Sequence, residues 1–149
     1  MKRELVHSVE IAAPPRLVFG LIEDPQVRKL WQQGLEETVD TFHPAGGGKV
    51  GSRFVSRIRE GGRLREYPGE LIAYEAEALY SVRMDDSQYT LTISYSVVPQ
   101  GPGTRAEFIT RIEFHSWFSR LMSPIARLML GTIMKNQLRS LKELAETDS

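Results

Sequence analysis

SPIARLMLGTIMKNQLRSLKELAE, residues 123–146, is the segment that the rest of the chain is built to hold. Ser123 stands where an N-cap would, Pro124 takes the first helical position and the polar Thr147-Asp148-Ser149 follows, so the pattern predicts one long C-terminal helix. At helical spacing Ala126, Leu130, Ile133, Met134, Gln137, Leu138, Leu141, Leu144 and Ala145 share one side, while Lys135, Asn136, Arg139, Lys142, Glu143 and Glu146 share the other. The second half therefore has a single stripe to bury. In the first half Leu121, Ile125, Leu128 and Met129 fall on the face that carries charge further along, so this half is apolar nearly all round and needs a second partner. Gly131 lies between the halves and weakens the helix interior by up to ~1 kcal/mol relative to alanine. If the helix bends, it is expected to bend there.

Upstream, Leu5, His7, Val9 and Ile11 alternate with Val6, Ser8 and Glu10, the period of a half-buried first strand, which Ala13-Pro14-Pro15 ends. Leu17, Val18, Leu21 and Ile22 then recur at helical intervals. Asp24-Pro25 stops that helix and opens a second short one carrying Val27, Leu30 and Trp31. Gly34 turns the chain into a strand at 35–42, and five more strand-like runs follow at roughly 50–60, 63–74, 76–84, 88–99 and 104–115. Pro44-Ala45-Gly46-Gly47-Gly48, Gly61-Gly62, Asp85-Asp86-Ser87 and Gln100-Gly101-Pro102-Gly103 mark turns between them. One strand, two short helices, six strands and a long helix define an α+β architecture, an antiparallel sheet with the helices buried against one face. Strand parity turns Phe54, Ser56, Ile58, Tyr80, Val82, Met84, Tyr89, Leu91, Ile93, Tyr95, Phe108 and Thr110 toward the long helix.

Composition narrows the function classes. With 149 residues a single domain over residues 1–149 is expected, long enough to bury a core. Nineteen Lys and Arg balance nineteen Asp and Glu, which disfavours nucleic acid as a partner. The chain has no cysteine, so thiolate nucleophiles and thiolate metal sites are excluded, in keeping with a reducing compartment. The charged Met1-Lys2-Arg3 start leads directly into a strand pattern, and no run approaches the ~18 apolar residues of a membrane span. A cytoplasmic protein without stable membrane insertion is the expectation.

The chain resembles the START/Bet v 1-like (SRPBCC) superfamily, and within it the bacterial polyketide cyclase/dehydratase and lipid-transport group. The resemblance spans nearly the whole chain. It rests on Ile11-Ala12-Ala13-Pro14-Pro15 with Val18-Phe19, on Asp24-Pro25 and Trp31, and on Gly48-Lys49-Val50-Gly51. It continues through Gly69-Glu70-Leu71-Ile72, Pro102-Gly103-Thr104 and the closing Leu138-Arg139-Ser140-Leu141-Lys142-Glu143-Leu144. It implies a helix-grip fold, a curved seven-stranded antiparallel sheet around the long helix with a cavity for a hydrophobic ligand between them. It transfers no catalytic residue, because superfamily members bind, carry, sense or transform many apolar compounds.

The expected cavity lining is Trp31, Phe54, Ile58, Tyr80, Met84, Tyr89, Tyr95, Phe108, Thr110, Leu130, Ile133, Met134 and Gln137, with Met122 and Met129 adding pliable thioethers on the helix. Core filling is the competing role for the methionines, and an anchor for a short helix the competing role for Trp31. Gln137 sits on the helix's apolar face, where an amide needs a hydrogen-bonding partner from protein or ligand. His7, Tyr89 and Tyr95 are the weak candidates for proton transfer, and Glu66 is a carboxylate that could reach the cavity. His7, His43 and His115 have no metal-ligand spacing, and neither metal nor cofactor is expected. Arg53, Arg57, Arg59, Arg63 and Arg65 form a basic hairpin face that Glu60, Glu66 and Glu70 can neutralise. Trp117, Phe118, Leu121, Ile125, Leu128 and Met129 form an apolar group read as a dimer contact, a membrane-touching portal, the place where the two short helices pack, or a protein interface. Three functions remain open: a binding, transport or sensing protein for a lipid, polyketide or polycyclic compound; a cyclase, aromatase or dehydratase; and an interaction module using the Trp117-to-Met129 patch.

Overall fold

The computed structural model describes residues 2–46, 48–85 and 88–148, without the side chains of Lys2, Arg3, Phe118, Ser119 and Asp148. In chain order these form β1 (Lys2–Ile11), α1 (Pro15–Glu23), α2 (Pro25–Arg28), β2 (Leu35–Phe42), β3 (Arg53–Glu60), β4 (Arg63–Glu75), β5 (Leu79–Asp85), β6 (Tyr89–Gln100), β7 (Gly103–Phe114), α3 (Trp117–Leu121) and α4 (Ser123–Asp148). The two short helices follow their start signals. Pro15 opens α1, Pro25 opens α2, and the Asp24 carboxylate accepts from the Gln26 N–H at 2.9 Å.

The strands make one antiparallel sheet in the order β1-β7-β6-β5-β4-β3-β2. The chain starts at one edge, crosses by α1 and α2 to the other, and returns by hairpins until β7 lies beside β1. Register shifts interrupt the β2–β3 and β4–β5 ladders, and such irregularities bend a sheet and increase its twist. A long helix needs that curvature to sit inside the sheet. Phe19, Trp31, Tyr95, Val97, Phe108, Leu138, Leu141 and Ala145 meet in one buried cluster, which joins the C-terminal half of α4 to the sheet and to α1. Lys142 ties the same half to β1, donating to the Glu10 carbonyl at 2.9 Å and to Glu146 at 2.6 Å.

Several expectations change. α2 ends at Arg28, so Trp31 lies just past it and Leu30 is 69% exposed rather than on a buried helical face. Arg28 is buried in its place. Val50 is exposed and precedes β3, and β5 starts at Leu79 because residues 76–78 form the turn, with Glu77 at φ 62°. On the convex face Ser81 is buried and donates to Ser94 Oγ at 2.7 Å. α3 has no counterpart among the expected elements, because five residues are too few to show a period.

Gly69 explains one core position. A Cβ there would lie 2.6 Å from Cζ of Phe54, its cross-strand neighbour, so the missing side chain lets the Phe54 ring lie flat on β4.

Candidate functional site

The first half of α4 and the concave side of the sheet do not close on each other. Between them lies a cleft of about 530 Å³. Ile58, Met84, Leu91 and Ile93 supply the apolar sheet wall, and Met129, Leu130, Ile133 and Met134 supply the helix wall. Both walls follow from period: alternate residues of β5 and β6 on one side, and residues one turn apart on α4 on the other. Exposed Gln33, Arg59, Glu60, Gly61 and Arg65 stand at the mouth with Gln32, Tyr67 and Tyr89. A second void of about 600 Å³ adjoins it, lined by residues 63–68 with Met84, Asp85 and Tyr89. Although larger, that void has four exposed charged side chains, Arg63, Arg65, Glu66 and Asp85, among its nine lining residues, so the cleft under α4 is the better container for an apolar molecule.

Among the expected lining residues, Ile58, Met84, Tyr89, Leu130, Ile133, Met134 and Gln137 are brought together in this cleft. Trp31, Phe54, Tyr80, Tyr95, Phe108 and Thr110 are not on its wall. Apart from half-buried Tyr80, they are buried, and an aromatic lattice accounts for most of them. Trp31 packs against Tyr95 and Phe108 with ring centroids 6.0 and 5.8 Å away, and Tyr95 meets Phe108 edge-on at 4.7 Å. The Trp31 indole N–H donates to the Leu21 carbonyl at 2.8 Å, which anchors the segment after α2 to α1. Strand parity identified these side chains as inward; it could not say that α1 and α2 fill the sheet at that end.

Gln137 is the polar feature of the helix wall. It is 4% exposed, and its Oε1 has no hydrogen-bond partner among the described residues. A carboxamide can be turned end for end without changing its shape, so the cleft can meet either its acceptor or its donors. Thr110 Oγ1 is likewise buried and unpartnered, but in the core. At the mouth, the Tyr67 hydroxyl donates to Glu60, and burial together with that carboxylate pushes the phenol well above its ordinary range. Burial also pushes the Tyr95 phenol up to about 12, so it stays neutral in the core.

Sequence reasoning missed Tyr67, because Pro68-Gly69 obscures the parity of β4, and it left Glu60 on the basic hairpin face although the alternation of Phe54, Ser56 and Ile58 in β3 extends to it. Glu66, chosen there instead, borders the hairpin void and pairs with Arg57 at 3.0 Å. It also missed Arg28, which is 6% exposed, has its guanidinium 5.5 Å from the Tyr80 ring centroid and leaves Nε without a partner. The four residues of α2 carry no period that could have shown it inward.

His7 faces α4: a Cβ on Gly131 would stand 3.9 Å from His7 Nε2, and His7 Nδ1 is buried without a partner. That places His7 under the helix, outside the cleft wall. His43 lies 3.7 Å from Asp40 on the surface, and His115 is 2.7 Å from Thr90 Oγ1. The three therefore sit at separate places. The basic hairpin is extensively paired: Arg53 with Glu70, Arg57 with Glu37 and Glu66, Arg59 with Glu36, and Arg65 with Glu60. Glu36 and Glu37 come from β2, which the hairpin's own sequence could not supply. In the apolar group, Trp117, Leu121, Met122, Ile125, Leu128 and Met129 are between 40% and 75% exposed, while the Phe118 side chain lies outside the described residues.

A seven-stranded antiparallel sheet holding a long C-terminal helix, with two short helices near its start and a cleft beneath that helix, is the helix-grip arrangement of the START and Bet v 1 proteins. The chain belongs to the polyketide cyclase/dehydrase and lipid transport family, which matches residues 2–146. Its fold is similar to that of a START superfamily protein from Mycobacterium smegmatis, with TM-score 0.80 and 13% identity over 98% of this chain and 99% of that one. It is similar to a Thermus thermophilus protein, TTHA0849, with TM-score 0.78 and 18% identity over 99% of each chain. Norcoclaurine synthase from Thalictrum flavum, solved with dopamine and hydroxybenzaldehyde, shares the fold with TM-score 0.71 and 18% identity over 100% of this chain and 89% of that one. At these identities the likeness is one of fold. A comparison with curated proteins returned no match.

Proposed function

We propose that the protein binds a hydrophobic small molecule in the cleft between α4 and the sheet and carries, stores or senses it. The observation that carries this reading is the cleft of about 530 Å³ with apolar residues from both walls and one buried, unsatisfied amide. An apolar container with sparse polar groups selects a ligand that is mostly hydrocarbon or aromatic with a hydrogen-bonding group at one place. Gln137 is that group's partner in this reading. The description of the family, covering cyclases and lipid transport, supports the ligand class without choosing the compound. Native mass spectrometry and organic extraction of the purified protein test it, followed by a panel of lipids, polyketides and polycyclic compounds. Retention of an apolar compound, lost in an Ile133→Trp variant that fills the cleft, is the expected result. A protein that takes up no compound on the panel contradicts it.

A catalytic reading is favoured by one observation, the Tyr67–Glu60 hydrogen bond at the mouth, with Tyr89 on the same wall. Such groups could exchange protons with a chain that the cleft holds in one register, as a cyclase requires. Because the single Tyr67 O–H is given to Glu60, its oxygen would accept a hydrogen bond from the bound chain, and the raised phenol keeps it neutral while doing so. Once a compound is found to bind, its conversion to product by the wild type, lost in Tyr67→Phe and Tyr89→Phe with binding retained, is the outcome this second reading predicts. Release of the compound unchanged removes it.

A further inference from the structure

We infer that α3 and the first half of α4 form a docking surface for an anionic lipid bilayer. Trp117 is 75% exposed, Leu121 66%, Ile125 56%, Leu128 74% and Met129 61%, a contiguous apolar face on neighbouring turns. A soluble protein that exposes this much apolar surface in one place ordinarily uses it. The charge around it names the partner. From residue 114 to residue 142 the chain has no Asp or Glu and carries Arg120, Arg127, Lys135, Arg139 and Lys142, although the whole chain is neutral. Lys135 and Arg139 continue the outward stripe of Leu128 two and three turns further on.

Most arginines of the sheet behave differently. Arg53, Arg57, Arg59, Arg83 and Arg111 each lie within ion-pair distance of a carboxylate. Among the described residues, Arg120, Lys135 and Arg139 have no such carboxylate. An apolar face flanked by uncompensated cations matches the boundary between the acyl chains and anionic headgroups of a bilayer, where both terms add. A protein partner would have to bring its own acidic rim, and a second copy of this chain would bring these cations against themselves. No helix among the described residues is long and apolar enough to cross a membrane, so the contact lies in the plane of the interface.

The surface also leads to the cleft. Met129 belongs both to the exposed face and to the cleft wall, and Leu130, the next residue, lines the cleft. Docking would therefore set the helix side of the cleft against the bilayer. Exposure and charge are sufficient for it, whether or not a ligand is bound.

Vesicle co-sedimentation of the ligand-free full chain tests it, with phosphatidylcholine alone against phosphatidylcholine mixed with phosphatidylglycerol. Tryptophan emission gives a second readout, because Trp31 is 2% exposed and Trp117 75%, so a blue shift on binding reports Trp117. The expected results are retention on the anionic vesicles with a blue shift, and release by high salt. Each basic residue near an anionic surface is worth roughly fivefold in partition, so a Lys135→Glu/Arg139→Glu variant should lose about twenty-five-fold or more. Leu128→Glu should abolish retention. Arg105→Glu, on the far face of the sheet, should change little. All four positions are exposed, and melting curves establish that each variant is folded. No retention of the wild type, or equal retention on neutral vesicles, overturns the inference. So does a concentration-dependent dimer that Leu128→Glu dissociates while vesicle retention is unaffected. Failure of ligand uptake in vesicle-free solution would count against the proposed function and leave this result as it stands.

Discussion

Replacing Gln137 by leucine separates a structural amide from one kept for a ligand. The residue is 4% exposed and its Oε1 has no partner among the described residues, so the folded chain carries an unsatisfied acceptor. Such a group costs ~1–3 kcal/mol, and an apolar residue of similar size removes the penalty without opening a large cavity. Gln137→Leu should therefore raise stability by ~1–3 kcal/mol, or several degrees in a thermal melt of a chain this long. It should also weaken a bound ligand by the loss of one hydrogen bond, ~0.5–1.5 kcal/mol, up to roughly tenfold in Kd. Differential scanning calorimetry and an equilibrium titration measure the two effects. A stability loss of similar size would show that the amide is satisfied in the fold, and a stabilised variant with undiminished affinity would show that no ligand uses it.

Three further substitutions test the supporting structure. Gly131→Ala should stabilise α4 by up to ~1 kcal/mol in chemical denaturation, because the added Cβ would stand 3.9 Å from His7 Nε2, an ordinary contact; slowed uptake of a ligand would then mark Gly131 as the bending point. Gly69→Ala should destabilise by ~1–3 kcal/mol, since Phe54 must leave its place on β4; a melting curve superimposable on the wild type's would show that the ring moves freely. The Glu146 carboxyl is held below the ordinary range by Lys142 and by the Ala12 N–H. Its folded value is depressed, so its stabilisation is present above the ordinary carboxylate pKa and lost as pH falls through the folded value. Glu146→Gln should therefore melt below the wild type near neutral pH, with the difference shrinking as pH falls below the ordinary carboxylate range; an offset that stays constant into the acid range would refute the assignment.

How far the sequence carries depends on the length of the period available. β2 is found where its pattern and turns put it, and the 26 residues of α4 show both of their faces in the spacing of Leu, Ile and Met. Strand parity identified the sheet's inner face but gave no distance between that face and its cover. Tyr95 and Ile93 therefore look alike in sequence, although α2 and Trp31 cover the first and the cleft reaches the second. Arg28 and Tyr67 fall in a four-residue helix and beside a proline, where no period survives. The pairing of Arg57 and Arg59 with Glu37 and Glu36 depends on β2 lying next to β3, a contact between segments about twenty residues apart. The exposed face of α3 and α4 was legible, because a helix apolar on two sides states its own need for a second partner.

The measurement that bears most directly on a ligand-holding cleft is titration with an environment-sensitive apolar fluorophore, comparing the wild type with Ile133→Trp and with Leu128→Glu. Ile133 lines the cleft and Leu128 lies on the outer surface, 74% exposed. A saturable single site lost in Ile133→Trp and kept in Leu128→Glu is the predicted result. Equal binding by the wild type and Ile133→Trp, with loss in Leu128→Glu, would place the apolar site on the outside of the helix and contradict the account.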